Sequence, residues 1–273
     1  MKKNKRYRIF HVPVLAFFSR ALYRDVALNW KGTAFGYLLL LLALCWIPGI
    51  VILHRGVAEF VDLEAPKLVS QLPEITITKG ELSIDEPEPY TVSDPDTGEV
   101  VAVFDTTGTI TSLEEAEALV LVTRTQVTVQ KNAFETRTFN FSEVESFVLT
   151  QDRIYGWLDA GKRFAAPVLY PLCVLGAFVY RLLQALLYAA IGLLIARILR
   201  AERSYDELLR LAVVAVTPAI LVATLLDGAS INLPYWGLWY FLATMGYLVF
   251  GIKAAEPGGE PDFKFSSAPG TDS

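Results

Sequence analysis

The sequence predicts an α-helical polytopic membrane protein with four transmembrane helices and an inserted extracytoplasmic β-rich α+β domain. Three observations predict it. Apolar residues make up 53% of the 273 and the mean hydropathy is +0.40, more apolar than an ordinary soluble domain. They gather in runs at 32–53, 164–196, 211–226 and 228–252. Between the first two runs, residues 54–163 switch to period-two, β-branched patterns. Charge follows the same division: 54–163 holds 20 acidic and 9 basic side chains, a net of −11, whereas 1–31 holds eight Lys or Arg and one acid, Asp25.

Residues 1–31 read as a basic cytoplasmic tail followed by an amphipathic helix, Val14–Trp30, lying in the membrane interface. Leu15, Phe18, Leu22 and Val26 recur at spacings of three and four, with Arg20, Arg24 and Lys31 on a cationic face. Packing of this helix on the protein itself is the alternative. Apolar residues broken by charge, with no small-residue cleavage site, argue against a secretory signal. Residues 32–53 form the first span, since about 20 residues rising about 1.5 Å each cross a hydrocarbon core of about 30 Å. Pro48-Gly49 is expected to kink or fray its outer end.

In 54–163, strands are expected at 74–78, 82–84, 100–104, 119–123, 125–129 and 134–139. Turns are marked by Lys79-Gly80, Asp94-Pro95-Asp96-Thr97-Gly98, Asp105-Thr106-Thr107-Gly108 and Lys131-Asn132. Ser112 with Glu115, and Ser142 with Glu145, have capping-box spacing and predict two short helices. A roughly helical connector, Glu143–Lys162, leads to the long helix 164–199, whose span ends at Arg197, Arg200 and Arg203; a hairpin of two short spans is its rival. The third span is 207–226, with Pro218 inside it and Thr217 placed to satisfy freed backbone. The fourth is 234–252, with an aromatic belt of Tyr235, Trp236, Trp239 and Tyr240. Residues 253–273, rich in Pro, Gly, Ser and acid, read as a disordered cytoplasmic tail.

Short-loop charge sets the orientation. The N-terminal segment has eight Lys or Arg and the loop 197–210 has four, against none in 227–233, and long domains translocate regardless of charge. Both termini are then cytoplasmic, and 54–163 is extracytoplasmic.

The acidic middle region excludes nucleic acid as a partner. Two distant histidines, His11 and His54, and two cysteines inside apolar runs, Cys45 and Cys173, exclude a zinc site of ordinary spacing and leave disulfides uninferred. Asp96-Thr97-Gly98 spells an aspartic-protease triplet, but Ser93-Asp94-Pro95 precedes it where an apolar strand is needed, so it reads as a turn. Asp94, Asp96 and Gly98 resemble a calcium loop only loosely, because the distal Glu is replaced by Asp105. No phosphate-binding loop, dinucleotide fingerprint or nucleophile elbow occurs. No catalytic, cofactor or metal residue is therefore assigned. Arg181 stands out as an ionisable residue within an apolar run. Gln184 lies one turn on, and Asp227 ends the third span at a similar depth, so an Arg181–Gln184–Asp227 polar contact is expected, with plain outward snorkelling of Arg181 or a ligand or ion role as the alternatives.

Five segments carry a resemblance: 17–44, LPEITITKGELSI (72–84), FDTTGTITSLEEAEALVLVTRTQVTVQKN (104–132), 180–199 and 204–221. Together they are similar to an uncharacterised bacterial membrane family, a domain of unknown function sometimes labelled maltodextrin-utilisation protein. The run Leu211–Pro218 also resembles the Yip-type membrane superfamily. The resemblance implies a bacterial plasma-membrane module with a small external domain and no assigned activity. Tyr90, Tyr155 and Trp157 are the aromatic side chains near that domain able to meet a sugar. The expected role is non-catalytic: a sensor or accessory subunit whose partners are the bilayer and another membrane protein or a second copy. Small-solute transport, including oligosaccharide uptake, is the second expectation and a membrane-bound hydrolase the third.

Overall fold

A computed structural model describes residues 9–132 and 134–256, so the basic residues 1–8 and the expected disorder of 257–273 lie outside the described residues. The fold is mixed α+β, mostly helical, with two β-sheets and four helical segments long and apolar enough to cross a membrane. Two compact units divide the chain, one comprising residues up to Val51 and from Val168, the other Ile52–Pro167.

In chain order, a 3-10 turn at Ile9–His11 leads into α1 (Val12–Leu15), α2 (Arg20–Asn29) and α3 (Thr33–Glu59). A π-helical turn at Phe60–Glu64 joins α3 to α4 (Ala65–Val69). The strands are β1 (Ile75–Thr78), β2 (Glu81–Ile84), β3 (Tyr90–Ser93) and β4 (Val100–Asp105), then β5 (Val120–Thr123), β6 (Gln126–Asn132), β7 (Glu135–Asn140) and β8 (Ser146–Leu149). A short helix, α5 (Leu113–Ala116), falls between β4 and β5. After them run α6 (Gln151–Ile198), α7 (Tyr205–Ala215), α8 (Thr217–Gly228) and α9 (Trp236–Ala254).

The helical unit is built around α7 and α8. Leu208 and every residue from Leu211 to Thr217 are fully buried. Against them pack α2 and α9, and the core takes in Tyr23, Val26, Trp30, Tyr37, Leu248 and Ile252. The expected single helix Val14–Trp30 is broken: residue Ser19 is extended, and its side chain caps Leu22 N–H. Its apolar face is covered by protein rather than left open as an in-plane helix would be, since Leu22, Tyr23 and Val26 are fully buried while Phe18 is exposed. A neighbour too large to slide aside holds α2 against α9: a Cβ on Gly251 would lie 2.7 Å from Tyr23 Cδ1. The Tyr23 hydroxyl is in turn anchored on Ala16 C=O at 2.8 Å. Small residues do the same on α6, where Ala185, Ala189, Gly192 and Ala196 form one buried stripe at helical spacing.

The helices depart from expectation at their prolines. α3 continues through Pro48 for another eleven residues instead of fraying there. α6 is one helix of 48 residues, which removes the hairpin alternative, and Pro167 and Pro171 lie inside it. The third apolar segment is two helices meeting at Val216, and Pro218 occupies the first turn of α8, where its missing N–H costs nothing. Thr217 spends its hydroxyl on Tyr37, at 3.0 Å, rather than on freed backbone.

The β-rich unit has a three-stranded sheet, β2-β1-β8, and a five-stranded one, β3-β4-β5-β6-β7. Lys79 and Gly80 both have positive φ, 51° and 82°, as a two-residue mirror-image hairpin turn between β1 and β2 requires. β4 and β5 pair in parallel, with α5 in the crossover. That arrangement explains why both read as unbroken apolar runs: Ala102, Phe104 and Val122 join a core with Ile75, Ile77 and Leu82 of the smaller sheet, while Val103 and Leu121 pack with Ala116 and Ala118 on the other side. Ser112 caps α5 by accepting from Glu115 N–H. The second expected capping-box helix, at Ser142, is absent: the chain turns there and enters β8, which pairs with β1, and helix starts only at Gln151. β3 also escaped the pattern, having four residues behind Pro87 and Pro89.

Filling the Gly251 notch tests the helical core. Gly251→Val is expected to destabilise the unit by about 1–3 kcal/mol, the usual penalty for overpacking, seen as a lower melting temperature in detergent. Gly246→Val, with nothing within 4 Å of a Cβ, is the control and leaves the melt nearly unchanged.

Candidate functional site

Arg181, Gln184 and Tyr188 share one face of α6 through their spacings of three and four. The Arg181 guanidinium donates to Gln184 Oε1 at 2.7 Å, and Gln184 Nε2 donates to the Tyr188 hydroxyl at 2.9 Å. The charge itself is met by aromatic faces. Its guanidinium carbon lies 4.6 Å from the ring centroid of Tyr240 on α9 and 5.3 Å from that of Tyr180. A cation over an aromatic face is stabilised by about 0.5–2 kcal/mol, more as water is excluded, so the rings stand where a carboxylate would. Trp236 packs edge-on to Tyr240, and Phe241 edge-on to Tyr188. Arg181 and Gln184 are thus together, as expected, but Asp227 is not with them. It is exposed at the end of α8 and forms no ion pair with Arg181. A cation–π partner fifty-nine residues downstream leaves no local signal in a sequence; the aromatic belt was visible, but not which ring faces the charge.

Tyr240 is buried, and its hydroxyl has no hydrogen-bond partner among the described residues. Its backbone carbonyl accepts from Thr244 Oγ1 at 2.8 Å. This polar strip contains no nucleophile–base pair. It can hold a cation, orient an amide and present a phenol.

Among the described residues two carboxylates are buried, Asp25, which the sequence shows only as the lone acid of 1–31, and Asp105, which it shows only as a turn residue and a poor calcium ligand. Asp25 accepts from Trp30 Nε1 at 3.0 Å and Asn29 Nδ2 at 2.6 Å, which ties the end of α2 to its own interior. Asp105, fully buried, ends β4 and is wrapped by its own loop, with Thr107 Oγ1 and the backbone N–H groups of Thr107 and Ile110 donating to it. Burial disfavours its charged form, but these hydrogen bonds outweigh burial and hold its pKa below the ordinary carboxylate value. The loop is braced from outside by Glu88, which accepts from Thr106 N–H and Oγ1.

The other candidates are surface features. Asp94–Gly98 is a turn, closed by Gly98 N–H to Asp94 C=O at 2.8 Å, and Asp96 pairs with Lys67. No three His, Cys, Asp or Glu side chains converge as metal ligands among the described residues. Tyr90 is half-buried and donates its hydroxyl to Gln71 C=O, so it offers no open ring platform, whereas Trp157 is exposed on α6.

A family model described as protein of unknown function (DUF1189) matches residues 10–252. No curated protein and no solved structure matches the chain.

Two substitutions separate the groups at the strip. Tyr240→Phe keeps the ring and discards an unpaired hydroxyl, so stability is unchanged or higher; Tyr240→Leu removes the face under Arg181 and lowers stability by about 0.5–2 kcal/mol. Equal losses from both in thermal melts contradict the cation–π assignment. For Asp105 the lowered folded pKa stabilises the β-rich unit at and above the unfolded value of about 4, and this is lost as pH falls through the folded pKa. Asp105→Asn is expected to cost about 1–3 kcal/mol at neutral pH by leaving buried donors unmatched. It also flattens the loss of melting temperature between neutral and acid pH.

Proposed function

The chain belongs to the DUF1189 family, and on that premise we propose that it is a multi-pass plasma-membrane protein acting as a non-catalytic accessory or sensing subunit. One observation carries the membrane reading. In three of the four long apolar segments only 22%, 22% and 33% of the most apolar stretch is buried inside the protein, against 72% in the third. Leu39, Leu44, Ile52, Leu172, Leu183, Leu187 and Leu194 point outward. In water that surface drives aggregation; in hydrocarbon it needs no further partner. The segment 205–228 is then the central span, enclosed by the other three, and Arg181 is a charge kept in the membrane by Tyr240 and Gln184.

The excess of Lys and Arg in 1–31 and 197–210 over 227–233 favours cytoplasmic termini and an extracytoplasmic β-rich unit. The accessory role rests on what that unit offers. Glu88, Asp94, Asp105 and Glu115 are engaged in loop, turn and cap hydrogen bonds, while the broad exposed β6–β7 hairpin, with Phe134 fully exposed near the tip, suits binding to a partner.

Alkaline carbonate is expected to leave the chain in the membrane pellet; release into the supernatant contradicts the four-span reading. With Cys45 and Cys173 replaced by Ala, Thr97→Cys and Asn232→Cys are labelled by an impermeant maleimide in intact cells, and Glu256→Cys only after permeabilisation. Mild-detergent purification then decides the role. Recovery of another membrane protein at comparable stoichiometry supports the accessory reading, and recovery of the chain alone removes it.

A further inference from the structure

The end of α6 and the connection that follows it form an open cleft of 460 Å³ lined by Leu193, Ala196, Arg197, Arg200, Glu202 and Arg203. Three arginines within seven residues suit an orientation signal at the cytoplasmic side, but an orientation signal needs only exposed charge. Arg203 is not exposed: its side chain is 8% accessible, and its Nε is buried with no hydrogen-bond partner. Its nearest carboxylate oxygen, on Glu207, stands 3.9 Å from Nη1, beyond hydrogen-bond reach. Glu207 is itself committed to the capping box of α7 with Ser204. Arg197 and Arg200 form no ion pair among the described residues. Arg210 is paired separately, with Asp206 at 3.2 Å.

One of these arginines stands at the end of α6. Ala201 N–H donates to Ala196 C=O at 2.9 Å and Arg200 N–H to Arg197 C=O at 3.1 Å, a Schellman ending for α6. The left-handed position of that motif ordinarily takes glycine; here it is Arg200, with φ of 55°. A strained conformer at a residue whose side chain lines a cleft is how binding sites are commonly built.

We propose that this cleft binds a phosphate ester carrying a single negative charge, held by Arg197, Arg200 and Arg203, and that its source is the headgroup of an anionic phospholipid. Three arginines against Glu202 and Glu207 leave one net positive charge, which a phosphodiester neutralises. Arginine's planar fork suits phosphate oxygens, and Arg203, which lines the cleft, carries a desolvated Nε donor with no partner among the described residues. The lipid source follows from the other wall. Leu193 and Ala196 are apolar, and Leu194 and Ile198 beside them are 60% and 81% exposed, so an acyl chain has a surface to lie on where free phosphate has no use for one. Basic pockets at the cytoplasmic ends of spans are known headgroup sites. The assignment rests on the membrane reading above.

The test uses the full chain in phosphatidylcholine nanodiscs with and without phosphatidylglycerol, with retained lipid counted by native mass spectrometry. Wild type is expected to retain phosphatidylglycerol, and R197Q/R200G to retain it about tenfold more weakly, one charge-assisted hydrogen bond being worth roughly that factor or more. R200G alone keeps folding out of the comparison, because glycine suits the left-handed position: it melts at or above the wild-type temperature while weakening lipid retention. Equal retention by wild type and the double variant overturns the site. Inorganic phosphate is titrated into the lipid-neutral discs. If it raises the melting temperature while phosphatidylglycerol is not retained, the lipid source is overturned. Release of the chain by carbonate defeats the membrane reading separately, before any lipid is counted.

Discussion

The helical unit depends on the complete burial of the second half of α7 and the first turn of α8. A segment in which Leu211 through Thr217 are all buried must be covered on every side, and its neighbours are arranged by that requirement. α2 and α9 close on α7; α3 reaches Thr217 through Tyr37; Gly192 of α6 lets Leu208 and Leu248 close on the helix, a Cβ there standing 3.5 Å and 3.3 Å from their Cδ2 atoms. On the proposed membrane reading small residues matter more than large ones here, because helices clad in leucine on their outer faces would gain nothing from burying more of it against each other in hydrocarbon. Close approach and dispersion are what remain. Gly251 under the Tyr23 ring is the tightest such point.

The β-rich unit is constrained differently. Its larger sheet is covered on one face by the smaller sheet and on the other by α5, so β4 and β5 carry apolar residues continuously and pair in parallel. A parallel pair needs a crossover, and the turn out of β4 is closed by Asp105, a buried carboxylate whose hydrogen bonds are all supplied by the loop it begins. The carboxylate thus substitutes for the backbone partners that a loop entering the interior lacks.

Charge in apolar surroundings is handled in three ways. Asp25 is buried with an indole and an amide. Arg181 is laid on Tyr240, whose ring face stabilises the charge without a second ion and leaves the exposed Asp227 unused. Arg203 is buried with an unpaired Nε beside two arginines that have no carboxylate of their own among the described residues. Of the three, the last is unfinished by the protein itself, and so it is the one that points to a ligand.

What the sequence determined by itself is the set of local choices. The lengths of the apolar runs, the Lys79-Gly80 hairpin, the Ser112 cap and most strands were legible because each depends on residues within a few positions of one another. So was the prominence of Arg181, since an uncharged background makes a single charge visible. The tertiary structure decided everything that depends on which distant surface arrives: that α2 lies on α7 and α9, that residues after Ser142 pair with β1 instead of coiling, and that Arg181 meets an aromatic ring rather than Asp227. Hydropathy and periodicity report how a residue partitions and which way it faces, not what faces it. Partner choice is a long-range steric outcome, fixed here by small residues such as Gly251 and Gly192 whose role is invisible until the helix opposite is in place.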